Sequence, residues 1–588
     1  MNPFSRPPHH SGIHPGEDLQ NSPGALRLDG VRSRALDISR TRLLVTAVVF
    51  IGIFGIIAAR MIDVAVLDAN PAKPRALPQA RIQDLEMGRA DITDRSGAVL
   101  ATSLPTVSLY ARPQDMAEAR VDMADAARKL ADALPDLEAE DVRARLITGK
   151  SFVYLRRNLT PRQQYDVNAL GIPGLHFEKG ERRVYPHGNL VAHVVGMTDI
   201  DNKGIAGIER HFDQRLTSDA APLALSLDLS IQNVVRGELQ KAVQQFNALG
   251  ATGMVADVRT GELLAMVSLP DFDPNDPPAG SNEALFNRAT KGAYEMGSTF
   301  KLFNTAMALE SGRININSTF DATKPLKFGN HTIHDDHSLN RWITVPEILI
   351  HSSNIGSARM ALEAGTDFQR LFMARLGMLH TPSLELPEVG APQVPNPWRE
   401  INTITISFGH GLSVTPVQLV AGAVALVNGG IFHPLTLAHR PDDAPIPGEM
   451  VLKQKTSTQM RQLMRMVVTD GTGKKADVPG YEVGGKTGTA EKAAHGGYRK
   501  KAVLSSFVAA FPMDNPRYVV VAMIDEPQGT KETYGFITAG WNAAPTAGRI
   551  IAQIAPMLGI APKNLLDTAN LSAKLPTSAG RSDLAQSR

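Results

Sequence analysis

Ser298-Thr299-Phe300-Lys301, running into the apolar stretch Leu302 to Leu309, is where the reading of this chain turns. Nowhere else does a lysine stand three residues after a serine. A serine hydroxyl is a weak nucleophile and needs a base within hydrogen-bond reach. On a helix, residues i and i+3 share a face and side chains lean toward the N-terminus, so Lys301 is predicted to hold its amine beside Ser298. The head of that helix adds free backbone N–H groups and the positive end of the dipole, suited to a developing anion. Two common residues at one offset also occur by chance, so the pairing needs support from the rest of the chain.

Two further elements follow in order: Ser352-Ser353-Asn354, then Lys486-Thr487-Gly488-Thr489. Ser352 and Asn354, on a turn between helices, can relay protons, hold a substrate backbone and orient Lys301. Lys486 and Thr487, on an edge strand beside Ser298, offer a cation and a hydroxyl to a carboxylate. Gly488 lets that strand come close with no side chain in the way. The backbone N–H groups of Ser298 and Thr489 are expected to form an oxyanion hole. Ser-x-Asn alone carries no weight; the ordered set, each member on the expected helix, loop or strand, does.

Outward from these motifs, 588 residues leave room for roughly two to four domains. Hydrophobic content of 43% and charged content of 20% describe an ordinary folded protein. A net charge of +2 gives no signal for nucleic acid as a partner. With no cysteine, disulfides, thiolate metal sites and a cysteine nucleophile are excluded. Leu43 to Ala59 is free of charge, and Arg32, Arg34, Arg40 and Arg42 precede it. It reads as a single uncleaved membrane anchor over 43–64 with the N-terminus cytoplasmic and everything after it outside. Residues 1–42, rich in Pro, His, Ser and Gly, read as a disordered cytoplasmic tail, and 561–588 as a flexible C-terminal one.

Between these ends the expected class is α+β. Residues 80–220 form an elongated pedestal of mixed elements with no catalytic cluster: a turn at Thr93 to Gly97, a strand Val99 to Tyr110, helices Ala117 to Leu134 and Glu138 to Leu146. Residues 222–560 form the catalytic domain. Leu223 to Leu227 is read as a strand, Ser230 to Asn247 as a helix, and Met254 to Val258 with Leu263 to Ser268 as a hairpin. Ser298 to Val427 is mainly helical; Gly484 to Thr489, Val503 to Phe511 and Tyr518 to Ile524 are strands, and Thr546 to Met557 closes as a helix. Both ends therefore build one central antiparallel sheet with helices inserted between.

On these residues the chain resembles the class B penicillin-binding proteins, most closely the division-specific (septal, FtsI-type) peptidoglycan D,D-transpeptidases. That family and class A β-lactamases use S-x-x-K, S-D-N and K-T-G; here the middle element is S-S-N. Further carrying stretches are Arg89 to Ala101, Gly204 to Leu216, Tyr294 to Lys301, His351 to Gly356, Phe408 to Leu419 and Gly484 to Lys492. The resemblance implies a bitopic inner-membrane enzyme with a pedestal (dimerisation) domain and a periplasmic transpeptidase domain of penicillin-binding/β-lactamase-like fold. It implies that Ser298 attacks the D-Ala-D-Ala end of a stem peptide and forms an acyl-enzyme. An amine of a neighbouring stem peptide resolves that acyl-enzyme. It further implies acylation by β-lactams, no cofactor, no metal, and division-complex partners including a membrane glycan polymerase. The Gly207 to Glu209 segment and the anchor are the surfaces expected to meet that polymerase.

Rival readings exist. Gly480 to Thr487 fits the Walker A pattern G-x-x-x-x-G-K-T, and Val519 to Glu526 resembles a Walker B strand. A phosphate loop must lead into a helix, whereas Gly488 and the turn-like His495-Gly496-Gly497 follow here. An elongation-type transpeptidase, a β-lactamase, a membrane-anchored β-lactam sensor and a structural scaffold use parts of the same pattern. His331-Thr332-Ile333-His334-Asp335-Asp336-His337 invites a metal reading, set against a polar loop at the site's rim. His351 is expected to pack beside the Ser-x-Asn turn or support it from behind rather than to act as an acid–base group, and Trp541 to line the stem-peptide groove or to take a core or edge-strand role.

Overall fold

The computed structural model describes residues 44–58 and 88–563, apart from 442, 495 and 496. Contacts divide the chain into Met1–Leu85 and Glu86–Arg588. The first unit contributes one described element, a helix over 44–58 whose apolar side chains are exposed. No helix among the described residues is long and apolar enough to cross a membrane. The expected tail, the rest of the expected anchor and residues 564–588 lie outside the described residues.

The second unit opens on a five-stranded sheet centred on Val99–Ala111. Val153–Leu159 and Leu175–Val184 flank that strand antiparallel, and Ile92–Thr93 joins it to Leu223–Ala224. Leu223 thus pairs parallel with Ile92, so the strand expected at the start of the catalytic domain closes the preceding sheet instead. The single helix expected over Ala117 to Leu134 is two, Pro113–Glu118 and Met123–Ala133. The break falls at Arg120, whose φ of 54° ends the first, and Asp122, whose carboxylate accepts from Ala124 and Asp125 N–H to start the second. Leu109, Met116, Leu130, Val142 and Leu155 form a small core of their own. Ile92, Leu100, Val194 and Ile208, in contrast, share one core with Met254, Phe303 and Val420 of the catalytic part.

That shared base holds a buried ionic cluster. Glu209, with no exposed surface, accepts from Arg89 Nε at 2.5 Å and Arg183 Nε at 2.6 Å. Arg183 also donates to the Arg89 and Ala90 carbonyls, and Arg89 to Asp213 at 2.7 Å. Gly207, at φ 63°, lies where a Cβ would come within 2.5 Å of the Gly196 backbone. Gly207, Ile208 and Glu209 are all buried, which overturns the expectation that they face a polymerase: they bind this part of the chain to itself.

The catalytic part is built on an antiparallel sheet ordered Gly484–Ala494, Gly497–Phe511, Tyr518–Asp525, Gly250–Asp257, Leu263–Leu269. Tyr518–Asp525 and Gly250–Asp257 are buried on both faces, as their unbroken apolar and small residues require. Helices Leu229–Gln245 and Ala543–Met557 cover one face through Val235, Leu239, Ile550 and Ile551. The helical segments between the two halves of the sheet cover the other, around Lys301–Glu310 and Pro416–Val427. Two small hairpins, Thr319–Asp321 with Trp342–Thr344 and Leu326–Phe328 with His331–Ile333, interrupt the stretch expected to be mainly helical.

Candidate active site

Ser298 stands on a 3₁₀ turn, Gly297–Phe300, that runs straight into the helix Lys301–Glu310. Gly297 has φ 52°, and a Cβ there would sit 2.8 Å from the Thr489 carbonyl oxygen. The turn and the edge strand Gly484–Ala494 therefore meet backbone to backbone, which only glycine permits. Gly488 is the matching contact: a Cβ would lie 2.7 Å from the Met296 carbonyl and 2.8 Å from the Thr299 methyl.

Lys301 is wholly buried, and Nζ has four neighbours, all neutral oxygens. They are Ser298 Oγ at 3.0 Å, Ser352 O at 2.6 Å, Ser352 Oγ at 3.1 Å and Asn354 Oδ1 at 2.7 Å. Two of these, Ser352 O and Asn354 Oδ1, can only accept. A neutral amine fits the set: its two N–H bonds go to the two acceptors and its lone pair remains for a hydroxyl. Burial pushes the amine down to about 7, against the opposing pull of Asp335 and Asp336. Ser298 thus has, 3.0 Å from its hydroxyl, an amine that gives up its proton near neutral pH.

Ser352 adopts φ 59°, a left-handed conformation that costs a non-glycine residue about 1–3 kcal/mol. In return its carbonyl and hydroxyl both face Lys301. Asp335 holds the turn from behind. Its carboxylate accepts from Ser353 Oγ at 2.7 Å, Asn354 N at 2.6 Å and Ile355 N at 2.9 Å, at the head of the helix Asn354–Ala364. Asn354 Nδ2 donates to the His334 carbonyl at 3.0 Å, so Oδ1 points to Lys301. Loop 334–335 therefore positions the Ser-x-Asn turn, in keeping with the reading of HTIHDDH as a polar loop at the site's rim; the individual contacts of Asp335 were not readable from the sequence. Among the described residues no group of three or more His, Asp or Glu side chains is arranged to hold a metal.

Lys486, mid-strand and wholly buried, donates to Ser352 Oγ at 3.1 Å and to the Thr487 carbonyl at 3.0 Å. Burial first, and Lys301 second, hold its amine well below the ordinary lysine range. Ser352 Oγ thus bridges the two lysines. The Thr487 hydroxyl pairs with Thr472 Oγ1 at 2.7 Å, a partner the sequence reading missed because fifteen residues separate the two. The Thr489 hydroxyl accepts from Ala539 N at 3.1 Å, which ties the loop 534–541 to the edge strand. On that loop Trp541 stacks on Phe536 with ring centroids 5.4 Å apart, Tyr534 packs edge-on, and Lys475 Nζ sits 3.4 Å over the indole. His351 is exposed at the end of Val345–Ile350, so the expectation that it packs is not met.

The phosphate-loop reading fails on the same strand. Lys486 and Thr487 pair with Val508 and Phe507 inside a ladder that continues to Ala494, and no helix begins there. The contacts of Lys301, Lys486, Gly297 and Gly488 bring the three motifs together beside Ser298.

Residues 251–547 match the Penicillin binding protein transpeptidase domain, and residues 85–222 the Penicillin-binding Protein dimerisation domain. The chain is 40% identical to a probable peptidoglycan D,D-transpeptidase FtsI of Caulobacter vibrioides, over 84% of this chain and 85% of that protein. The chain belongs to the FtsI-type class B penicillin-binding proteins. Peptidoglycan D,D-transpeptidase FtsI of Escherichia coli K12 is 31% identical over 82% of this chain and 86% of its own. A peptidoglycan synthetase from Bifidobacterium adolescentis shares the fold, with a TM-score of 0.63 over 84% of this chain and 97% of the other, at 23% identity.

Proposed function

We propose that this chain is a peptidoglycan D,D-transpeptidase that cross-links stem peptides at the division septum. The observation that carries the reading is the arrangement of Lys301: a buried amine near pKa 7, with both N–H bonds directed at fixed acceptors and Ser298 Oγ 3.0 Å away. Ser298 Oγ attacks the carbonyl of the penultimate D-alanine while its proton passes to Lys301. The Ser298 and Thr489 backbone N–H groups receive the oxyanion. Collapse breaks the peptide C–N bond, and the departing D-alanine amine takes a proton relayed from Lys301 through Ser352. The acceptor amine then attacks the ester, and Ser298 recovers its proton. Lys486 and Thr487 hold the terminal carboxylate, Asn354 the substrate amide, and Gly488 keeps strand and serine in contact.

The domain reading accompanies this: a pedestal over 80–220 and a transpeptidase domain over 222–560. The uncharged run Leu43 to Ala59 and the arginines before it support a single-pass inner-membrane anchor with the catalytic domain periplasmic. A membrane glycan polymerase of the division complex is the expected partner through that anchor. Intact-mass spectrometry of the protein incubated with benzylpenicillin tests the reading. It predicts one long-lived adduct that is absent from Ser298→Ala; an adduct on both proteins, or on neither, contradicts it.

A further inference from the structure

The N–H of Ser298, one of the two oxyanion donors, belongs to the peptide unit between Gly297 and Ser298, and such a unit is planar. Whatever fixes the Gly297 carbonyl therefore fixes the direction of the Ser298 N–H. That carbonyl rests on Gly409: a Cβ there would lie 2.0 Å from the Gly297 oxygen, so the two segments meet only because residue 409 has no side chain. Gly297 N also donates to the Gly409 carbonyl at 3.1 Å. With the Thr489 carbonyl against its other side, the serine turn is gripped between the edge strand and residue 409.

The loop that carries Gly409 does not stiffen itself. Gly409 and Gly411, at φ 88° and 80°, lie in a region that glycine enters and leaves freely, so no backbone preference holds them. The entry of the loop is tied to the helix Glu400–Ile406, where Phe408 N and His410 N donate to the Thr405 carbonyl at 3.2 and 3.0 Å. Its exit is tied to Glu295, whose carboxylate accepts from Gly411 N at 2.7 Å. That length belongs to a charge-assisted bond, roughly twice as strong as a neutral one. Just beyond, Tyr294 and Glu295 pair with Val414 and Ser413. Glu295 is half-buried and stands three residues before Ser298. Its backbone leads into the serine turn, while its side chain holds the loop on which that turn leans.

We infer that Glu295 is a positioning residue for the oxyanion hole: its bond to Gly411 N seats Gly409 against the Gly297 carbonyl and so aims the Ser298 N–H. Glu295 touches neither the substrate nor the reacting atoms; it acts through the loop 408–411. The inference rests on the transpeptidase reading and deepens it, from the groups that meet the oxyanion to the group that holds one of them in place.

The test uses the full-length chain with Glu295→Ala, Glu295→Gln and Glu295→Asp. Glutamine keeps an oxygen within reach of Gly411 N, alanine offers none, and the oxygen of aspartate falls short. Stopped-flow over a range of benzylpenicillin concentrations separates the first, noncovalent complex from the acylation rate constant. Glu295→Ala is expected to lower that rate constant about 10- to 100-fold and to leave the noncovalent dissociation constant within about twofold, as a misplaced oxyanion donor requires. Glu295→Gln is expected to stay within about threefold of wild type, because the hydrogen bond survives without its charge. A phenylacetamidomethyl boronic acid forms a tetrahedral adduct on the serine and presents an oxygen to the same N–H groups. Its affinity should fall by the factor that acylation loses, which a loop that merely supported folding would not produce. Should Glu295→Ala not fold, Glu295→Asp takes its place beside Glu295→Gln. Acylation by Glu295→Ala at the wild-type rate, a loss confined to the noncovalent complex, or an unchanged boronic acid affinity overturns the assignment and leaves the transpeptidase reading intact. Failure of benzylpenicillin to acylate the wild-type chain overturns the reading on which it rests.

Discussion

Two places in this molecule bury clusters of cationic side chains, and they treat the charge in opposite ways. At the base of the N-terminal sheet, Arg89 and Arg183 enclose Glu209, and each guanidinium meets a carboxylate within 2.6 Å. Around Ser298, Lys301 and Lys486 are just as buried, but every contacting partner is a hydroxyl, carbonyl or amide oxygen. Dipoles can orient an amine without compensating the desolvation of a full charge, so the proton is released more easily. The first cluster holds structure together through charge; the second, on the proposed mechanism, gains a base by refusing it.

Breaking the contrast at its chemical end produces the largest effect. Lys301→Met removes the base while keeping volume, and benzylpenicillin acylation is expected to fall by about 10²–10⁴-fold, measured by stopped-flow or mass spectrometry. Its folding should not suffer, because the lost group is a buried amine held low. The sign follows from linkage. The folded-state value of about 7 lies below the model value of 10.5, so the unfolded chain binds the extra proton between those pH values. Wild-type stability therefore gains with rising pH across that window, and Lys301→Met loses this gain. A variant that melts far lower than wild type at pH 6 contradicts the assignment.

At the structural end, Glu209→Gln leaves two buried guanidiniums facing a neutral amide. A loss of about 3–5 kcal/mol in unfolding free energy is expected, read from denaturant midpoints. Acylation per folded molecule should change little, since Glu209 bonds Arg89 and Arg183 at the base of the N-terminal sheet and none of the motif residues. A drop in intrinsic acylation with stability unchanged would erase the distinction between the clusters.

Asp335→Asn sharpens the comparison with a smaller effect. It removes the nearest charge opposing Lys301's deprotonation while keeping an oxygen for the Asn354 and Ile355 N–H groups. The acid limb of the acylation profile should shift to lower pH, with a rate loss of roughly tenfold from a loosened Ser-x-Asn turn. No shift in the limb would mean that Asp335 acts on geometry alone. Smallest of all, Arg143→Ala deletes an exposed pair with Glu140 at 2.9 Å and should leave the melting temperature where it was.

Much of this was legible in the sequence because the chemistry sits at short spacing. Ser298 and Lys301 are one helical turn apart, and Lys486 to Thr489 lie on one strand, so local periodicity placed each of them. Tyr518–Asp525 announced itself as an apolar run, whereas only the second half of Gly250–Asp257 did, because Gly250 to Gly253 carry too little apolar side chain to show the strand. What stayed hidden depends on contacts between distant segments. Asp335 reaches Asn354 across nineteen residues, so its segment reads only as a polar loop at the site's rim and not as the group that holds the turn. The Gly207 to Glu209 segment reads as a surface for a partner, whereas the groups that Glu209 meets lie 26 and 120 residues away in this chain. The edge strand's Gly488 could be read as a close approach, but the backbone it approaches, at Met296, could not.

The most direct test of the central claim is the pH dependence of benzylpenicillin acylation between pH 5 and 9, followed by stopped-flow on the wild-type chain. An amine that must be neutral predicts a rate that climbs about tenfold per pH unit at the acid end and bends near 7 to a plateau. A profile that is flat from pH 5 upward, or that falls as pH rises through 7, would show that the burial of Lys301 does not make it the base.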